Sequence, residues 1–133
     1  VDDKAINDKP EETLDLARKY LMAAGFKFGA DGKLSAETPI VIEYLTNTDS
    51  GHVAAAQSMQ ADFKEIGIEI SIQQVEWKTF LQERKQGNFD IAREGWLADF
   101  DDPINMLEMF TTDSGNNDCQ FGRNQAWKDA QAK

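Results

Sequence analysis

Cysteine appears once in this chain, at Cys119, and histidine once, at His52. A single thiol cannot close an internal disulfide, and so low a count leaves the redox compartment open. One histidine and one cysteine also argue strongly against a structural zinc site. Basic residues are in deficit: 14 lysines and arginines face 24 acids, a formal charge of -10. Nucleic-acid binding needs a basic footprint, so that class is set aside. Otherwise an acidic surface chiefly keeps a protein soluble. No apolar run approaches the length of a membrane-spanning helix.

What is present suits a folded core. Apolar residues make up 41% of 133 positions, which fits one domain over residues 1–133. The chain opens Val1-Asp2-Asp3 and stops at Lys133, inside a helix expected from Asn124. Both ends read as cut, so a fragment of a longer protein is expected.

Hydrophobic spacing orders the elements. Asp8-Lys9-Pro10-Glu11-Glu12 is a helix start, with a capping acid, a first-turn proline and two acids at the positive end of the dipole. Leu14, Ala17, Leu21 and Ala24 continue at helical spacing to Gly25. Residues 27–38 are polar and glycine-containing, a turn or loop. Ile40 to Leu45 reads as a buried strand, and Asn47 to Gly51 as a polar loop. A second helix carries Ala56, Met59, Phe63 and Ile66 and stops at Gly67. Ile68, Ile70 and Ile72 alternate with polar residues as a strand. Trp77, Phe80 and Leu81 mark a third helix closed by Gly87, and a third strand begins at Phe89. Asp102-Pro103 opens a helix bearing Leu107 and Phe110, and Ser114 to Asp118 is a loop. Strands separated by helices of this length join through right-handed crossovers into a small parallel sheet with flanking helices, an α/β fold.

Ligands in such sheets bind beyond the carboxyl ends of the strands. The loops there carry Asn47, Thr48 and His52 after the first strand, Trp77 after the second, and Arg93, Gly95, Trp96 and Asp99 after the third. This set has no nucleophile beside a base, no phosphate-cradling glycine loop and no metal cluster, so neither catalysis nor a cofactor is expected. An arginine can grip a carboxylate and an acid can hold an ammonium group. An elongated ligand carrying both charges is a peptide. A glycine beside the tryptophan lets a peptide backbone come close.

Bland roles stand beside these. Aspartates after a strand cap and turn, which fits Asp101 and Asp102 ahead of Pro103 better than it fits Asp99. Trp77, at a helix head, suits core and pocket wall equally. Trp96 sits in a polar loop and favours a pocket. Arg84 reads as an ordinary exposed helix arginine next to Lys85, and His52 suits a helix cap. Cys119 is taken as inert.

The runs LDLARKYLMAAGF (14–26), NTDSGH (47–52), EWKTFLQERKQGNFDIAREGWLADFDDP (76–103) and GNN (115–117) occur in order. As an ordered set they resemble the extracytoplasmic, family 5 type solute-binding proteins of bacterial ABC importers, in the oligopeptide-binding branch. The resemblance covers nearly all of the chain. It implies the core of the second lobe of a type II periplasmic-binding-protein fold. It also implies oligopeptide capture for a membrane permease by a monomer, either periplasmic or a cell-surface lipoprotein. Position by position, Asp99 would pair with the peptide amino group, and Gly95 and Leu97 would offer backbone groups. Trp96 and Trp77 would line pockets, and Arg93, Arg84 and His52 would serve the carboxylate. Phe100 stands where tyrosine is common, and Asp101-Asp102 where the family varies. The nearest alternative is a sibling carrier of dipeptides, nickel or sugars. A more distant one is a small metal-dependent enzyme using Asp99, Asp101 and Asp102. The strand ending in Arg93, without a partnering lysine or hydroxyl, argues against it.

Overall fold

A computed structural model describes residues 9–110 and residue 129. Its elements are α1 (Pro10–Ala23), β1 (Val41–Asn47), α2 (Ser50–Glu65), β2 (Glu69–Val75), α3 (Trp77–Gln86), β3 (Ile91–Ala92) and α4 (Ile104–Leu107), followed by a 3-10 turn at Glu108–Phe110. The strands form one sheet in the order β2-β1-β3, and both pairings are parallel. The expected α/β architecture and chain order are therefore present. The loop at Ser114–Asp118, the Gly115–Asn117 run and Cys119 lie outside the described residues. So does the terminal helix, apart from Asp129.

The core forms where the sequence alternates. Tyr44, Ala56 and Ile70 are buried together, with Ile42, Met59, Phe63 and Ile72 packed against them. This joins α2 to one face of β1 and β2. Leu45 points the other way by strand alternation and is also buried, as is Phe80 of α3. For this strand order, right-handed crossovers put α2 and α3 on opposite faces. A doubly covered central strand results, and its carboxyl end is fixed by packing from both sides.

Three boundaries differ from expectation. β1 extends through Thr46 and Asn47, because pairing with β2 continues as far as Asn47 opposite Val75. α2 starts inside the stretch read as a loop: the Asp49 carboxylate accepts the N–H groups of Gly51 and His52 at 3.0 and 3.1 Å. Asp49 is thus the cap, and His52 is a residue being capped. β3 is shorter than a strand beginning at Phe89. Asp90 takes the Glu43 N–H on its side chain at 2.9 Å, and its own N–H bonds the Glu43 carbonyl. A side chain stands in for the ladder there, so regular pairing holds only Ile91 and Ala92.

The turn after α2 sits tightly. Gly67 has φ +81, and a Cβ on it would lie 2.6 Å from the Leu34 nitrogen. That closeness lets the Leu34 N–H reach the Ile66 carbonyl at 2.9 Å. It ties the 27–38 turn, which carries an isolated Phe28–Leu34 bridge, to the start of β2.

Candidate ligand site at the carboxyl edge of the sheet

With all strands parallel, Asn47, Val75 and Ala92 end on one side of the sheet. The loops after them bring Thr48, His52, Trp77 and residues 93–103 to that edge.

The first cluster surrounds Asp49. Besides its two backbone donors, the carboxylate has the His52 imidazole Nε2 at 3.9 Å. Its pKa is held below the ordinary value, first by the His52 N–H, then, against an opposing effect of desolvation, by the His52 charge, the Gly51 N–H and, last, the Arg93 charge. Arg93 therefore lies close enough to act on Asp49. The Arg93 N–H bonds the Leu45 carbonyl at 3.0 Å, which fixes where this side chain leaves the sheet. A Cβ on Gly95 would come 2.9 Å from Arg93 Nη2. The Arg93 guanidinium thus lies against Gly95, although a flexible arginine tip could shift to admit a side chain.

Arg84 corrects the expectation of an exposed helix arginine. Its side chain is only 14% exposed, and Nη1 holds both Glu94 oxygens at 2.8 and 2.9 Å. Glu94 Oε1 also accepts the Gly95 N–H at 3.3 Å.

Asn105 organises the far end of the loop. This residue is 7% exposed, and its single amide oxygen accepts two bonds. One comes from Trp96 Nε1 at 3.1 Å and the other from the Asp99 N–H at 2.9 Å. Asn105 sits in the first turn of α4, just after a turn in which the Asp102 carboxylate accepts the Ile104 N–H at 2.9 Å. Of the cap or turn role read for Asp102, the turn is present. Trp96 is pinned at its nitrogen while its ring stays partly open, and Asp99 is fixed by its backbone and exposed. Trp77 stacks on buried Phe80, with centroids 5.4 Å apart, yet remains 45% exposed, so it serves both core and surface. Leu97 is 89% exposed.

At the end of β1, Thr46 Oγ1 and Asn47 Oδ1 are buried without a hydrogen-bond partner. Among the described residues, no group of three metal-ligating side chains is placed to hold an ion. Arg93, Trp96, Asp99, His52 and Trp77 thus share an edge, with Arg84 reaching it through Glu94. Sequence reasoning missed Asp49, Glu94 and Asn105. Only Asp49 carried a signal, as an acid just ahead of a helical stripe.

The pattern of the bacterial extracellular solute-binding proteins, family 5 Middle, matches residues 2–118. The periplasmic oligopeptide-binding protein OppA of Salmonella typhimurium is 36% identical over 106 residues, 79% of this chain and 18% of that protein. The oligopeptide-binding protein OppA of Bacillus subtilis is 34% identical over 84% of this chain and 20% of its own length. The solved Escherichia coli murein tripeptide binding protein MppA superposes with a TM-score of 0.73 at 31% identity, covering 92% of this chain and 23% of that one. Haemophilus influenzae OppA, solved in complex with the peptide RPPGFSPFR, gives 0.68 at 30% identity, covering 91% and 22%. The chain spans about a fifth of the length of the curated relatives it matches. With that pattern matched across nearly its whole length, the chain belongs to the bacterial extracellular solute-binding proteins of family 5.

Proposed function

We propose that this chain is a single domain forming one lobe of the substrate-binding component of an ABC importer, a protein that captures oligopeptides outside the cytoplasm. The observation that carries the reading is the meeting of Arg93, Trp96 and Asp99 on one sheet edge, in a loop whose two ends are pinned by polar bonds. Asp99 would take the peptide's ammonium group, and Leu97 and Gly95 would pair with its backbone. Trp96 and Trp77 form pocket walls, and Arg93 and His52 suit the carboxylate, with Arg84 behind them.

Leu97, Phe100, Ile104, Leu107 and Phe110 are exposed within one short stretch. Exposed apolar patches mark contact surfaces, and an opposing lobe closing on a peptide accounts for these. The role is capture and delivery to a membrane permease, by a monomer held in the periplasm or anchored by lipid at the cell surface. No chemical step on the ligand is needed.

The test is native mass spectrometry of the complete protein, purified with whatever it carries. Peptides of mixed sequence with free amino termini are expected. A dipeptide, a metal chelate or a sugar in their place would replace this reading with that of a sibling carrier.

A further inference from the structure

Glu94 occupies two donors that the peptide reading gives to the ligand. Its carboxylate takes Arg84 Nη1 on both oxygens and the Gly95 N–H on one. The Arg84 side chain is well covered at 14% exposed, while that of Glu94 is partly open at 37%. By contrast, the Lys9–Glu12 and Lys27–Glu37 pairs are more than 60% exposed on both sides. Open pairs of that kind contribute little, whereas shielding strengthens an ion pair and lets it compete. Chemically, the carboxyl terminus of a peptide is the same group as the Glu94 side chain. A guanidinium nitrogen already holding both oxygens of one carboxylate must give them up before it can take those of another.

We propose that Glu94 is a specificity-determining residue, an internal carboxylate that competes with the carboxyl terminus of a bound peptide for Arg84 and the Gly95 N–H. The inference rests on the peptide-lobe reading and deepens it. Glu94 belongs to the same loop as the site, so it is always present at high effective concentration. A peptide carboxylate reaching Arg84 must displace it, and apparent affinity falls by the fraction of molecules in which Glu94 holds on. Peptides whose carboxyl end falls elsewhere escape this competition. The site is therefore biased by peptide length, against the length that places its carboxylate on Arg84.

The test uses the complete protein and calorimetry with tri-, tetra- and pentaalanine, each as free acid and as C-terminal amide. Glu94→Gln is expected to tighten at least one free-acid length by roughly tenfold, equivalent to about 1.4 kcal/mol, and to leave every amide within about twofold. Glu94→Ala repeats the comparison without an amide that could keep the bond to Arg84. Adding Arg84→Gln to either variant should erase the gain. Equal changes for acids and amides, or a gain that survives without Arg84, would overturn the proposal and leave Glu94 as a loop anchor. Wild type that binds the free acids while neither variant tightens them would also overturn it, with the peptide reading intact. Wild type that binds none of these peptides would overturn both.

Discussion

The stretch from Val41 to Val75 and the stretch from Arg93 to Phe110 are built on different principles. In the first, β1, α2 and β2 bury Tyr44, Ala56 and Ile70 at 6% exposure or less, and the ladder runs unbroken between two seven-residue strands. In the second, a two-residue strand leads into an irregular loop and a four-residue helix, and the only residue buried there is Asn105. The first is held by packing, the second by a handful of polar bonds: Arg84 to Glu94, and Trp96 and Asp99 to Asn105. Packing tolerates approximate partners and spreads its energy widely. Polar bonds fix particular atoms while leaving side chains such as Asp99 and Leu97 open. Stability should therefore reside in the first region and ligand selection in the second.

The sharpest break in this comparison comes from the core. Phe80 is 1% exposed and carries the stacked Trp77 ring. Phe80→Ala should destabilise the chain by about 3–5 kcal/mol, the cost of emptying a large buried aromatic site. Urea unfolding followed by circular dichroism measures this. A loss below about 1 kcal/mol would mean that α3 is loosely seated and that the sheet is firmly packed on one face only.

Next in size is Asp99→Asn in the complete protein. The peptide ammonium, enclosed between lobes, would lose its counter-charge, at a cost on the order of 2–5 kcal/mol, or roughly 30-fold to several thousand-fold in affinity. Folding should scarcely change, because it is the Asp99 backbone and not its carboxylate that Asn105 holds. N-acetylated peptides should bind poorly to wild type and lose little more in the variant. Unchanged calorimetric affinity for free-amine peptides would reduce Asp99 to a turn residue.

The two regions were also unequally legible in the sequence. Periods of 3.6 and 2 mark elements that bury a face, so α1, β1, α2, β2, α3 and their parallel order could be read from residues such as Ala56, Met59, Ile70 and Phe80. β3 could not be bounded, because Asp90 substitutes its side chain for a backbone partner and no periodicity records that. Arg93, Trp96 and Asp99 stood out as unusual chemistry at a strand end. Their supports did not. Glu94 meets Arg84 from ten residues away in sequence, across two elements, and Asn105 is a lone polar residue in the run Ile104-Asn105-Met106-Leu107. Such contacts depend on three-dimensional closeness that one-dimensional spacing does not encode.

Asn105 offers a smaller and more local effect. Removing its amide oxygen strands the Trp96 and Asp99 donors together, and for partly buried donors the loss is on the order of 1 kcal/mol. Asn105→Ala should therefore speed hydrogen exchange at the Asp99 amide, read by NMR, while amides in β1 stay protected. Asn105→Asp keeps an acceptor and should restore most of the protection at Asp99. Exchange rising equally across β1 would show that the loop and the core are one cooperative unit, against the division drawn here.

The smallest effect lies at the border between the regions, where Asp49 caps α2 and feels Arg93. Its pKa is depressed in the folded chain by the His52 N–H first, then by the His52 charge and the Gly51 N–H, with the Arg93 charge the smallest of these. The unfolded chain, with an ordinary carboxyl, binds that proton more readily, so acid favours unfolding. The Asp49 contribution should be fully present above the usual carboxylate range and fade as pH falls through the depressed folded value. Asp49→Ala removes both the cap and its titration. The stability gap between wild type and Asp49→Ala should accordingly be constant near neutral pH and narrow in acid, as measured by urea midpoints across that range. Arg93→Gln should leave most of this narrowing in place, because backbone donors, and not the arginine, are the leading cause. If Arg93→Gln abolishes it, the loop region sets the electrostatics of the α2 cap, and the border between packed core and polar loop runs through Asp49 and not beyond it.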